Sequence, residues 1–203
     1  RRRLRDRVRG TTTLITVNMA GNGGASSQPL SAAMSDDGRF VVFQSDATNL
    51  VAGDTRQYAD IFLRDAQVGT TILVSHASGG VTPALGNSTL PVISGDGRFI
   101  AYQSTAGNIV TNDNNAISDV FLYERETGVN VLLSRRTGCD VRGLAENPVI
   151  SGDGRIVAFT ASRTNLVNGR TLPSSAREVY AYNRTTDELH WASTNAFQLA
   201  RGI

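Results

Sequence analysis

Ser94-Gly95-Asp96-Gly97-Arg98-Phe99, running on into Ile100-Ala101-Tyr102-Gln103-Ser104, is a turn followed by an apolar run, and its pattern occurs three times in 203 residues. It stands earlier as Ser35-Asp36-Asp37-Gly38-Arg39-Phe40 and later as Ser151-Gly152-Asp153-Gly154-Arg155-Ile156, 59 residues upstream and 57 downstream. A second landmark keeps step. Asp60-Ile61-Phe62-Leu63 returns 59 residues on as Asp119-Val120-Phe121-Leu122 and then, degraded, as Glu178-Val179-Tyr180-Ala181. The register extends backwards too, because Leu4-Arg5-Asp6 and Gly10-Thr11-Thr12 match Leu63-Arg64-Asp65 and Gly69-Thr70-Thr71. A fixed period of this size marks a repeat architecture, with the chain entering partway through one unit and completing three more.

Each Asp-Gly pair lies between apolar runs, where a tight hairpin needs the positive φ that glycine adopts at no steric cost. Four strands per unit follow. In the second full unit they are expected at 91–94, 98–104, 119–124 and 129–134. Their interiors, such as Phe40-Val41-Val42-Phe43 and Val131-Leu132-Leu133, are continuously apolar, which implies strands covered on both faces. Radially stacked blades provide that cover, whereas a lone four-stranded sheet would leave one face wet. A β-helix coil is much shorter than this period, a sandwich has no reason to repeat, and no 3.6-residue periodicity supports a helical solenoid. The expectation is an all-β β-propeller of four-stranded antiparallel blades, about three and a half of them. Residues 1–24 would end a partial blade with its linker, and 25–80, 81–138 and 139–203 would form three full blades. Propellers typically have about four to eight blades, so this set would be a fragment or be completed by oligomerisation.

The pattern Ser-x-Asp-Gly-Arg-Phe, an apolar strand ending in Gln-Ser, then Asp-(Ile/Val)-Phe-Leu resembles the WD-like propeller repeat of the TolB family over nearly the whole chain. The inserts Asn49-Leu50-Val51, Asn108-Ile109-Val110 and Asn165-Leu166-Val167 resemble a longer-bladed branch common in secreted and cell-surface bacterial proteins. The resemblance implies the fold and says little about activity, since such blades serve as binding platforms, as lids on peptidases and as surface modules.

Composition closes several chemistries. Hydrophobic residues make up 40% and charged residues 19%, with 20 glycines, as in a turn-rich globular chain. No apolar run approaches the roughly 18 residues of a membrane helix, so no membrane span is expected. All 20 basic residues are arginine, which excludes Schiff-base and P-loop lysine chemistry. Six arginines crowd the first nine positions, too charged for the apolar core of a signal peptide, and without them the net charge of +2 turns negative. That stretch aligns with blade interior and reads as a truncated blade, not as a nucleic-acid footprint. The single cysteine, Cys139, excludes an internal disulfide and has no histidine near it in sequence to make it a nucleophile.

Candidate chemistry is sparse. Asp37, Asp96 and Asp153 precede turn glycines and are expected to cap the hairpins. Asp60 and Asp119 are expected to hydrogen-bond neighbouring backbone. No nucleophile elbow occurs, and His76 and His190 are read as exposed blade-edge residues; Ser75 and His76, adjacent in sequence, should point to opposite faces. No zinc spacing and no phosphate loop is present, and Gly21–Gly24 and Gly79–Gly80 read as inter-blade linkers. The segment from Asn112 to Asp119 offers alternating oxygen donors and a later carboxylate, a pattern that suits calcium, with Asp113, Asn115 and Asp119 as ligands. The first unit has Asp54 and Asp60 but places Arg56 where an oxygen should fall, and the third, 168–177, keeps almost nothing.

The sequence therefore suggests a non-enzymatic binding or scaffolding propeller, with no catalytic residue and no cofactor beyond calcium. It would be extracytoplasmic and bacterial, recognise a protein or glycan through rim loops, and associate through exposed blade faces. The alternatives are the propeller domain of a larger hydrolase or peptidase that gates or positions substrate, and a structural subunit of a surface assembly.

Overall fold

The computed structural model describes residues 2–80, 82–111, 113, 115–134, 144–162, 166 and 177–193. Cys139, Asn112, Asn114 and nearly all of the third insert lie outside the described residues.

Among the described residues every regular element is a strand. A two-stranded sheet pairs β1 (Arg3–Arg5) with β2 (Thr12–Leu14). Three four-stranded sheets follow, each an antiparallel meander: β3 (Ala32–Met34), β4 (Phe40–Ser45), β5 (Asp60–Asp65) and β6 (Thr70–Leu73), then β7 (Ser88–Ile93), β8 (Phe99–Ser104), β9 (Asp119–Glu124) and β10 (Val129–Leu132), then β11 (Ala145–Ile150), β12 (Ile156–Ala161), β13 (Glu178–Asn183) and β14 (Glu188–Trp191). β7 begins three residues before the sequence expectation, because Ser88 and Thr89 pair with β8 before a bulge shifts the register at Leu90-Pro91. The same shift recurs in β11 between Glu146 and Val149.

Why the runs are continuously apolar is plain from the packing. Along β4, Phe40 and Val42 join a core shared with the second blade, while Val41 and Phe43 join one shared with Ile15 of the preceding partial blade. In β8 the parity is kept one blade on: Ile100 and Tyr102 face the first blade, Phe99 and Ala101 the third. Each central strand thus buries both faces, and the described cores lie between the sheets. Stacked pairs carry the second and third strands together, Phe43 on Phe62, Tyr102 on Phe121 and Phe159 on Tyr180.

The recurrent turn fastens blade to blade. Ser35 Oγ donates to Asp37 Oδ1 at 2.5 Å, the N–H of Arg39 donates to the same oxygen, and the Phe40 N–H returns to Ser35 Oγ. The pattern repeats at Ser94/Asp96 and Ser151/Asp153, so these aspartates cap hairpins as expected. Between blades, the Asp36 N–H donates to Gly95 O at 2.9 Å and the Gly95 N–H to Gly152 O at 2.7 Å. Phe40 is clasped by Arg39 of its own blade and Arg125 of the next, and Phe99 by Arg98 and Arg184.

Candidate functional site

Strand direction sorts the connections into two rims. The turns β3–β4 and β5–β6 lie at one end of the first blade, and the segment 46–59 and the linker 74–87 at the other, with equivalents in the second blade. The long polar inserts belong to the second rim, and parts of them are tied down. Asn49 Oδ1 accepts from the Ser26 N–H and Asn108 Oδ1 from the Leu85 N–H, while their carbonyls accept from Met19 and Ser78. Leu50, Ile109 and Leu166 are buried beside them. The Asn-Leu-Val insert thus stitches each of the first two blades to the linker that enters it.

At the head of each third strand sits a carboxylate held by a serine from the end of the fourth. Ser75 Oγ donates to Asp60 Oδ1 at 2.6 Å and accepts from the Ile61 N–H at 2.9 Å. Ser134 does the same for Asp119 and Val120, and Ser193 for Glu178 and Val179. This differs from the sequence expectation of backbone donors to Asp60 and Asp119: the serine takes the backbone N–H and the carboxylate takes the serine. Burial in this setting pushes the Asp60 carboxyl up to about 7, against the Ser75 hydrogen bond that lowers it, and the Asp54 charge adds to the rise. Burial raises the Asp54 carboxyl as well.

The residues expected to bind calcium are placed as follows. Asp113 is 5% exposed and accepts from the Asn115 N–H at 3.3 Å; Asn115 is half-buried and accepts from the Ile117 N–H at 2.8 Å; Asp119 is fully buried and accepts from Ser134 at 2.5 Å. Among the described residues no three His, Cys, Asp or Glu side chains group as a metal centre.

The histidines part company. His190 is exposed, as expected, beside Glu188. His76 is half-buried, and this corrects the reading of it as exposed: its Nδ1 lies 3.0 Å from Ala77 O and its Nε2 3.1 Å from Gly128 O of the next blade. Its edge meets the Tyr123 ring at 5.9 Å. Ser75 turns into the core and its hydroxyl serves Asp60, so the two neighbours do not form a nucleophile–base pair. His76 instead walls a groove of about 490 Å³ between the first and second blades, lined also by Ser78, Gly80, Val110, Thr111 and Asn130.

Solved structures with the same arrangement of sheets decide the fold. Tricorn protease superposes with a TM-score of 0.55 at 13% identity, over 88% of this chain and 15% of that one. The assigned TolB of Agrobacterium tumefaciens superposes with a TM-score of 0.53 at 17% identity, over 90% of this chain and 50% of that one. The chain adopts a TolB-like β-propeller fold. At these identities the likeness is one of fold, and the chain spans half or less of either protein. No known family profile matches the sequence, and no curated protein matches it. Among the described residues, no helix of the TolB-like propeller is long and apolar enough to cross a membrane.

Proposed function

We propose that this TolB-like propeller is a non-enzymatic binding or scaffolding module, extracytoplasmic and bacterial, that recognises a protein or glycan through the rim bearing the 46–59 and 105–118 inserts. One observation supports it most: polar side chains that the sequence singles out as candidate acids, bases and nucleophiles make hydrogen bonds that hold the fold together. Asp37, Asp96 and Asp153 cap turns, Ser75 holds Asp60, and His76 contacts two carbonyls. What stays open is the groove between the first two blades, with apolar Ile109, Val110 and Val129 beside polar Thr111 and Asn130. Mixed walls of this kind suit a peptide or sugar surface. Self-association through blade faces is part of the same reading, since Val149 and Val179 on the third blade are 58% and 40% exposed.

The test is a glycan array and a peptide array probed with the purified chain, with Thr111→Trp to fill the groove and Gln67→Trp as a control on the opposite rim. Binding that Thr111→Trp abolishes and Gln67→Trp preserves is expected. Turnover of ester, peptide or glycoside substrates by the purified chain would overturn the reading. The propeller domain of a hydrolase is the alternative, and a hydrolase sequence flanking these blades in the gene would favour it.

A further inference from the structure

Asp54, in the segment between β4 and β5, and Asp60, the first residue of β5, are 3% and 0% exposed. Ser75 satisfies one oxygen of Asp60, and the Arg56 N–H serves Asp54. Their other oxygens, Asp54 Oδ1 and Asp60 Oδ2, are buried with no hydrogen-bond partner. Arg56, the cation between them in sequence, is exposed and is not among the charges acting on either carboxylate. The charge that does act on Asp60 is Asp54, and it is repulsive.

Native proteins rarely bury a polar oxygen without a partner, and two buried carboxylates in mutual repulsion are costlier still. Such a pair is relieved by a proton or by a cation. The donors are all oxygen, which disfavours soft metals and suits a hard divalent ion. Calcium takes about six to eight oxygens with tolerant geometry; two carboxylates supply up to four, and backbone carbonyls and water commonly supply the remainder.

We propose that Asp54 and Asp60 ligate a calcium-class divalent cation in the first blade, joining the rim insert to the head of β5. Sequence pattern discounted this unit for its arginine at position 56, and the structure removes the objection by turning Arg56 to solvent. The second blade repeats the placement 59 residues on, with Asp113 and Asp119 buried and Asn115 where Arg56 stands, so the calcium site expected there from sequence is the sister of this one. The inference goes beyond the binding role proposed above and does not depend on it.

Calorimetry with calcium chloride alone on the purified chain is expected to give saturable heat, and calcium is expected to raise Tm. Asp54→Asn keeps the shape and removes one charge; it should abolish the first-blade component and leave the part that Asp113→Asn removes. Terbium on the unaltered protein gives a second readout that needs no carboxylate variant to fold. Tyr58 sits in the same segment and is exposed, so terbium emission excited through tyrosine should appear, fall on adding calcium and weaken in Tyr58→Phe. Absence of both heat and Tm shift with calcium at about ten times the millimolar affinity of the weakest extracellular sites would overturn the proposal, leaving a shared proton as the relief of the pair. So would heat and emission that persist unchanged in Asp54→Asn.

Discussion

Gly38 and Gly97 occupy the same corner of successive blades, at φ of +70° and +69°, and the two are not equivalent. A Cβ at Gly38 would meet nothing within 4 Å, whereas one at Gly97 would stand 2.4 Å from the ring of Phe40 in the preceding blade. At position 38 glycine answers to backbone conformation alone; at 97 it also makes room for the ring clasped by Arg39 and Arg125. Gly38→Ala is therefore expected to cost about 1 kcal/mol, the usual penalty for a side chain at positive φ, and Gly97→Ala clearly more. Urea unfolding of the two variants measures the difference. Equal losses would mean that Phe40 yields without cost and that its clasp is loose. The first requirement was legible in the sequence from the Asp-Gly dipeptide. The second was not, because a contact between residues 57 apart leaves no mark in local pattern.

Strands were legible for a related reason. Two-sided burial writes itself as an unbroken apolar run, so β4, β5, β8 and β9 sit where the sequence puts them. The bulges at the first strands escaped, since Leu90 and Asn147 hold φ of +53° and +57° without a glycine to announce it. Their support comes from the neighbouring blade, where Gln44 Oε1 accepts from the Leu90 N–H and Gln103 Oε1 from the Asn147 N–H. The glutamine of the recurrent Gln-Ser is thus an inter-blade contact that sequence reading used only as a landmark. Within one blade, Arg39 on the approach to β4 ties to Asp65 at the end of β5 through two hydrogen bonds of 3.0 and 2.8 Å. That guanidinium holds the Asp65 carboxyl below its ordinary range. The folded pKa is depressed, so the stabilisation is complete above the ordinary carboxylate value of about 4 and is lost as pH falls through the lower folded value. Arg39→Gln is therefore expected to lower stability near neutrality and to flatten its decline in acid, so that the variant and the unaltered protein converge below the folded pKa, as followed by near-ultraviolet dichroism in urea across pH. An unchanged acid limb would show the pair too well solvated to matter.

Across the whole molecule, the candidate site was half legible. The oxygen-rich segment before β9 stood out as a pattern, whereas Asp54 and Asp60 were visible but discounted for Arg56, because burial and the exposure of that arginine are properties of packing. The recurring serine at the end of the fourth strand left a faint signal, fifteen residues after Asp60, Asp119 and Glu178 alike, that pairs it with the carboxylate only once the strands are folded together. The same packing governs how damage should spread. Cores lie between adjacent sheets, and no described core joins the first blade to the third. Stability in such an array approximates a sum of unit terms and nearest-neighbour interfaces. Phe159, fully buried against the second blade and stacked on Tyr180, is the lever on one interface. Phe159→Ala is expected to cost about 3–5 kcal/mol at that interface. Native-state hydrogen exchange should then show faster amides in β12 and β13, a smaller rise in β8 and β9, and β4 and β5 unchanged. If the amides of β4 and β5 accelerate as much as those of β12, the blades unfold as one unit and the nearest-neighbour account fails.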